Sequence, residues 1–196
     1  MTDVGSSARP STRVGLFVDE PNMHASLKEL NVAFDAADLY KRAQALGRVV
    51  IARAYLAMKS EYQGEAAASR ADASGLTGGL VAKGFLSISD WLARKYNEAG
   101  YTVRMVPPGS RQKDVDTALA VDGAQAIIED RLDLAIIASG DADYVPIADL
   151  AHSMGKAVGI AAVDRSCSPA LRARADLFLP IPAPSAIVTA ANSGGR

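Results

Sequence analysis

The sequence predicts an α/β protein: a mainly parallel sheet of five to six strands with helices on both faces. Three observations carry that prediction. Short runs that are apolar on successive residues recur along the chain, which is the pattern of strands covered on both faces. Helical stretches separate those runs, and alternation of strand and helix favours a parallel sheet between helical layers. Glycines close three of the helical stretches, where they accept the left-handed conformation that ends a helix.

The apolar runs are Val14–Val18 (VGLFV), Val49–Tyr55 (VVIARAY), Thr102–Val106 (TVRMV), Leu134–Ala138 (LAIIA), Ala157–Val163 (AVGIAAV) and, briefly, Leu177–Pro180 (LFLP). Helices are expected over about 36–46, 89–99, 114–130, 144–154 and 168–175, with Gly47, Gly100 and Gly155 as stops. Residues 1–12 and 183–196 are rich in small and polar residues and are expected to be disordered tails around a folded domain at 13–182. The segment 60–88 has a helix-like start, Glu61–Ala73, followed by a glycine-rich loop. Gly79–Gly84 in that loop has the glycine spacing of a P-loop, but Phe85 and Leu86 stand where Lys and Ser/Thr are required. No G-x-G-x-x-G follows the first strand, so a dinucleotide site is not expected.

Composition sets the outer bounds. At 196 residues, with 49% hydrophobic and 22% charged, the chain is long enough for one well-buried core. A net charge of -1 provides no global basic field, so contact with nucleic acid must come from a local patch. The lone cysteine, Cys167, cannot form an internal disulfide, and His24 and His152 offer no zinc spacing. The amino-terminal residues lack a signal peptide's apolar segment, and no apolar run approaches the ~20 residues that span a bilayer. A reducing cytoplasm is the expected setting, with no membrane association.

The chemistry lies in the carboxylates. In parallel sheets, sites form at the carboxyl ends of strands near a topological switch point. Asp19 follows Val14–Val18 directly, and Asp141 and Asp143 follow Leu134–Ala138 across Ser139 and Gly140. A turn or cap role accounts for a lone Asp at such a place, and Asp143 could be the N-cap of the helix that follows. A helical wheel sorts the acids of the helix that begins near Asp114. With Val115 at zero and ~100° per residue, Asp114, Gln125, Glu129 and Asp122 fall between about 260° and 340°, on the solvated face. Asp116 falls at about 100°, among Leu119, Gly123, Ile127 and Ala120. A carboxylate on a buried face costs several kcal/mol, roughly, unless it is paired or bound to a cation. Two explanations stay open: a buried basic partner, with Lys113 and Arg53 the nearest candidates, or a cation shared with Asp19, Asp141 and Asp143. An all-oxygen donor set suits Mg2+ or Mn2+, which can polarise a phosphodiester and lower the pKa of an attacking water.

Three fragments stand in order: Val18–Asn22 (VDEPN), Lys113–Asp116 (KDVD) and Ser139–Tyr144 (SGDADY). Together they resemble the NYN domain, the LabA-like branch of the PIN-like nuclease superfamily, over about residues 13–180. The resemblance implies a Rossmann-like three-layer sandwich and a metal-dependent ribonuclease site. Asp19, Asp116, Asp141 and Asp143 match the acidic positions, and Asn22 and Ser139 match polar positions that support the site or touch substrate. Lys113 also falls on the motif. RNA as substrate and a homodimer are implied in the same way. Glu20-Pro21 departs from the small residue that often follows the first Asp in this family.

Arg111, Lys113 and Arg104 are candidates for phosphate contacts, and Tyr144 for stacking on a base. His24 and His152 have no expected role. Three other readings compete with the endoribonuclease. One is a non-catalytic NYN module that binds RNA or a protein. A haloacid-dehalogenase-like phosphatase wants a second Asp where Pro21 stands. A Toprim-like nuclease wants a Glu where Asp19 stands.

Overall fold

The computed structural model describes residues 12–57, 88–107 and 114–183. The expected tails at 1–11 and 184–196, nearly all of the 60–88 segment with its P-loop-like glycines, and Arg111 and Lys113 lie outside the described residues.

Six strands form one sheet: β1 (Arg13–Asp19), β2 (Arg48–Ala57), β3 (Thr102–Val106), β4 (Leu134–Ala138), β5 (Ala157–Ala162) and β6 (Leu177–Pro180). All pairings are parallel, in the order β3-β2-β1-β4-β5-β6. The chain therefore runs outward from β1 through β2 to β3, then returns to start again at β4 on the other side of β1. The switch point falls between β1 and β4, where Val18 lies beside Ala138. The six helices among the described residues are α1 (Glu20–Lys28), α2 (Ala36–Leu46), α3 (Ile88–Glu98), α4 (Asp114–Ile128), α5 (Val145–Ser153) and α6 (Pro169–Arg172).

The continuous apolar character of β1 follows from its two covered faces. Leu16 and Val18 join Met23 and Leu27 of α1, Leu39 of α2 and Tyr96 of α3 in one core. Phe17, between them, points to the other face, among Leu119 and Ile127 of α4, Ile147 of α5 and Leu171 near the end of α6. Each helical layer thus closes half of a sandwich around the sheet.

Two local expectations need correction. Helix α1 was not anticipated, because only Met23 and Leu27 on it are buried and its other residues give no apolar stripe. It is started instead by Asp19, whose side chain accepts from the Asn22 backbone N–H, with Pro21 in the first turn. Gly100 and Gly155 do have positive φ, 97° and 67°, as helix stops do. Gly47 has φ 166°, which is extended backbone. Its requirement is space, since a Cβ there would collide with the Thr12 carbonyl oxygen.

Candidate metal centre

The ends of β1 and β4 are tied to each other by short polar side chains. Asp19, 2% exposed, sends Oδ1 to the Asn22 N–H at 3.2 Å, while its Oδ2 accepts from Ser139 Oγ at 3.1 Å and Tyr144 Oη at 3.0 Å. Asn22 Oδ1 accepts from the Gly140 N–H at 3.0 Å, which carries the connection back across the switch point. Ser139 Oγ in turn accepts from the Asp141 N–H at 3.2 Å. A side chain at Gly140 would press on the Ser166 carbonyl oxygen, 2.9 Å from where its Cβ would sit. The loop after β5 therefore requires glycine there.

Just beyond, Asp141 accepts from the Asp143 N–H at 3.0 Å and caps a single 3-10 turn, Ala142–Tyr144. The capping acid is thus Asp141, where Asp143 had been the candidate. Tyr144 precedes α5 as its N-cap and makes no side-chain capping bond. Asp116, in the first turn of α4, has its Oδ1 3.2 Å from the hydroxyl of Tyr144, the last residue of this turn. Asp116, Asp141 and Asp143 each place one carboxylate oxygen so that all three lie within 4.8 Å of one another. Two unit charges at about that separation repel by roughly 3 kcal/mol at an effective dielectric near 20, and less where water reaches exposed Asp143. A divalent cation removes that repulsion, and three carboxylate oxygens are the donors that Mg2+ or Mn2+ prefers.

Asp19 stands beside this trio and is not one of it. Burial pushes its carboxyl up to about 6; the Asp116 charge adds to the rise, and the Asn22, Tyr144 and Ser139 hydrogen bonds oppose it. Its oxygens are satisfied within the protein, as is every buried side-chain nitrogen and oxygen among the described residues.

Tyr144 does not do what its sequence position suggested. It is 0% exposed and so unavailable for stacking on a base. Its hydroxyl lies 3.0 Å from Asp19 Oδ2 and 3.2 Å from Asp116 Oδ1. With one proton to donate, it can serve only one of them at a time. Burial first, then the two carboxylates, raise the phenol well above its ordinary pKa and keep it protonated. Asn22 and Ser139 likewise face inward, where they brace the backbone.

Asp122 does not lie on the solvated face of α4 where the helical wheel puts it. Its side chain is only 10% exposed and is held by Arg53 Nη1 at 2.5 Å, Arg104 Nη1 at 2.5 Å and Tyr55 Oη at 2.8 Å. Those bonds lower its carboxyl pKa despite the opposing effect of burial. On the wheel, Asp122 at about 340° lies only ~20° from Val115, which is buried, so the signal was present. Arg53 is therefore committed to Asp122 rather than Asp116, and Arg104 is occupied there too. His24 lies 4.0 Å from Glu20, and His152 lies 3.0 Å from Asp176, both away from the acidic trio.

Comparison with known proteins adds two findings. The NYN domain matches residues 13–182. Among solved structures, a protein of unknown function from Vibrio parahaemolyticus RIMD 2210633 superposes with a TM-score of 0.65 at 20% identity, over 89% of this chain and 95% of that one. At that identity the likeness shows fold alone. No curated protein matches the chain.

Proposed function

The chain belongs to the NYN domain family, and from that premise we propose that it is a metal-dependent endoribonuclease that hydrolyses RNA phosphodiester bonds. The observation that carries this reading is the trio Asp116, Asp141 and Asp143, gathered at the switch point with their oxygens within 4.8 Å. These three would hold Mg2+ or Mn2+. When bound, that ion supplies the charge that polarises a phosphodiester and makes an attacking water acidic. Asp19 acts through neighbours: it holds the Ser139 hydroxyl, which accepts from the backbone N–H of Asp141, and it shares with Asp116 the single proton of the Tyr144 hydroxyl, which can turn to either carboxylate. Such supporting hydrogen bonds set the orientation and basicity of ligating carboxylates. No neutral side-chain base is required of His24 or His152.

The same reading takes RNA as the substrate, the cytoplasm as the setting and a homodimer as the working form. Among the described residues, no helix is long and apolar enough to cross a membrane. Calorimetric titration with Mn2+, followed by a cleavage assay on mixed RNA, tests the proposal. Binding with cleavage supports it. Binding without cleavage identifies a regulatory module that keeps its metal site, and no binding removes the metal centre altogether.

A further inference from the structure

The sheet face opposite α4 carries a cleft that the acidic trio does not use. It has a volume of about 910 Å3 and lies between α1, the connection from α1 to α2, and α3. That volume falls within the roughly 300–1,000 Å3 of small-ligand sites. Its back is apolar, formed by Leu27, Phe34 and buried Tyr96, whose ring centroid is 6.3 Å from that of Phe34. At its rim stands Trp91, 50% exposed, with Lys95 Nζ 4.5 Å from its ring centroid one helical turn later.

An indole left half in water beside a lysine is costly as packing and useful as a recognition surface. Aromatic faces combined with cations are how proteins hold single-stranded nucleic acid without reading its sequence. Lys28 lines the same cleft, with His24 beside it. The lining also holds two acids, Asp35, which caps α2 through the Asp38 N–H at 2.9 Å, and Glu20, 4.0 Å from His24.

We propose that this cleft is a nucleobase-binding subsite for single-stranded RNA, with Trp91 as the stacking surface and Lys95 and Lys28 as the phosphate contacts. The choice of RNA rests on the ribonuclease reading above, and the experiment separates the two.

Trp91 is the chain's single tryptophan, so its emission reports the cleft directly. The full-length protein, in buffer without divalent cations, is titrated with a short oligoadenylate and with an abasic ribose-phosphate oligomer of equal length. The oligoadenylate is expected to quench Trp91 saturably, with the abasic oligomer binding at least about tenfold more weakly. Binding of a labelled oligoadenylate, read by anisotropy, is expected to weaken about tenfold or more in Trp91→Ala. Trp91→Phe, which keeps a ring, recovers most of that loss, and neither variant changes Tm appreciably.

Equal binding of the two oligomers, or unchanged affinity in Trp91→Ala, overturns the subsite; metal-dependent cleavage that persists then leaves the ribonuclease reading standing. Emission that follows protein concentration and ignores RNA also overturns it, by identifying a second copy of the chain as the occupant. Saturable quenching without cleavage under Mg2+ or Mn2+ keeps the subsite and removes the ribonuclease reading.

Discussion

Helix α4 carries two partly buried aspartates six residues apart, and their surroundings are opposite in kind. Asp122 is enclosed by Arg53, Arg104 and the Tyr55 hydroxyl, so one negative charge meets two positive ones. Asp116 meets Asp141, Asp143 and a hydroxyl held by Asp19, so negative charge accumulates. A tyrosine hydroxyl stands beside each site, and the difference lies in where the compensating charge comes from. At Asp122 the fold supplies it. At Asp116 the proposed cation would supply it from solution, which would make Asp122 a bracing carboxylate and Asp116 a ligating one on the same helix.

The largest effect is expected at Asp116. Asp116→Asn is expected to lower metal-dependent RNA cleavage by at least about a hundredfold, by analogy with the loss of other groups that act on developing charge, while Tm in metal-free buffer holds or rises because repulsion is relieved. A variant that fails to fold would make Asp116 structural and collapse the distinction. Asp122→Ala should do the reverse. It leaves Arg53 and Arg104 without their acceptor, and because both guanidiniums reach water the loss is about 1–3 kcal/mol, below that of a fully buried pair. Denaturant titration reads that loss, and Mn2+ affinity measured alongside should be unchanged.

Tyr144→Phe removes one oxygen from between Asp19 and Asp116 and keeps the packing. Mn2+ binding is expected to weaken about tenfold, in the range for removal of a group that orients a metal ligand, with the fold retained. Equal Mn2+ affinity in that variant would show that Asp19 and Tyr144 do not act on Asp116.

The smallest effect belongs to an ordinary surface pair, Arg13 with Asp133 at 2.7 Å. The Arg13 hydrogen bonds hold the Asp133 carboxyl down at about 2. A depressed carboxylate contributes stability that is complete above its ordinary pKa near ~3.9 and disappears as pH falls through its folded value. Asp133→Asn should therefore cost less than about 1 kcal/mol at neutral pH and nothing below pH ~2, because the pair is exposed to solvent.

Much of this was legible in the sequence because burial writes itself into successive residues. Leu134–Ala138 and Thr102–Val106 coincide with β4 and β3, and Ala36–Leu46 coincides with α2. Asp114 and Asp116, which the wheel puts on opposite faces, are both half-buried, and Asp116 is the one whose carboxylate lies with those of Asp141 and Asp143. What stayed hidden depended on partners distant in sequence. Nothing local in Tyr144 shows that its hydroxyl will meet Asp19, 125 residues away. Nothing local in Asp122 shows that Arg53, 69 residues away, will reach it. Helix α1 was missed because a cap and a proline start it, while only two of its residues enter the core.

The most direct test is anomalous diffraction from a crystal of the protein grown with Mn2+. One strong peak is expected at a coordination distance of roughly 2.1–2.2 Å from oxygens of Asp116, Asp141 and Asp143, with Asp19 still bonded to Ser139 and beside Tyr144. No peak at that trio, or a peak that draws Asp19 in and displaces the Tyr144 hydroxyl, would contradict it.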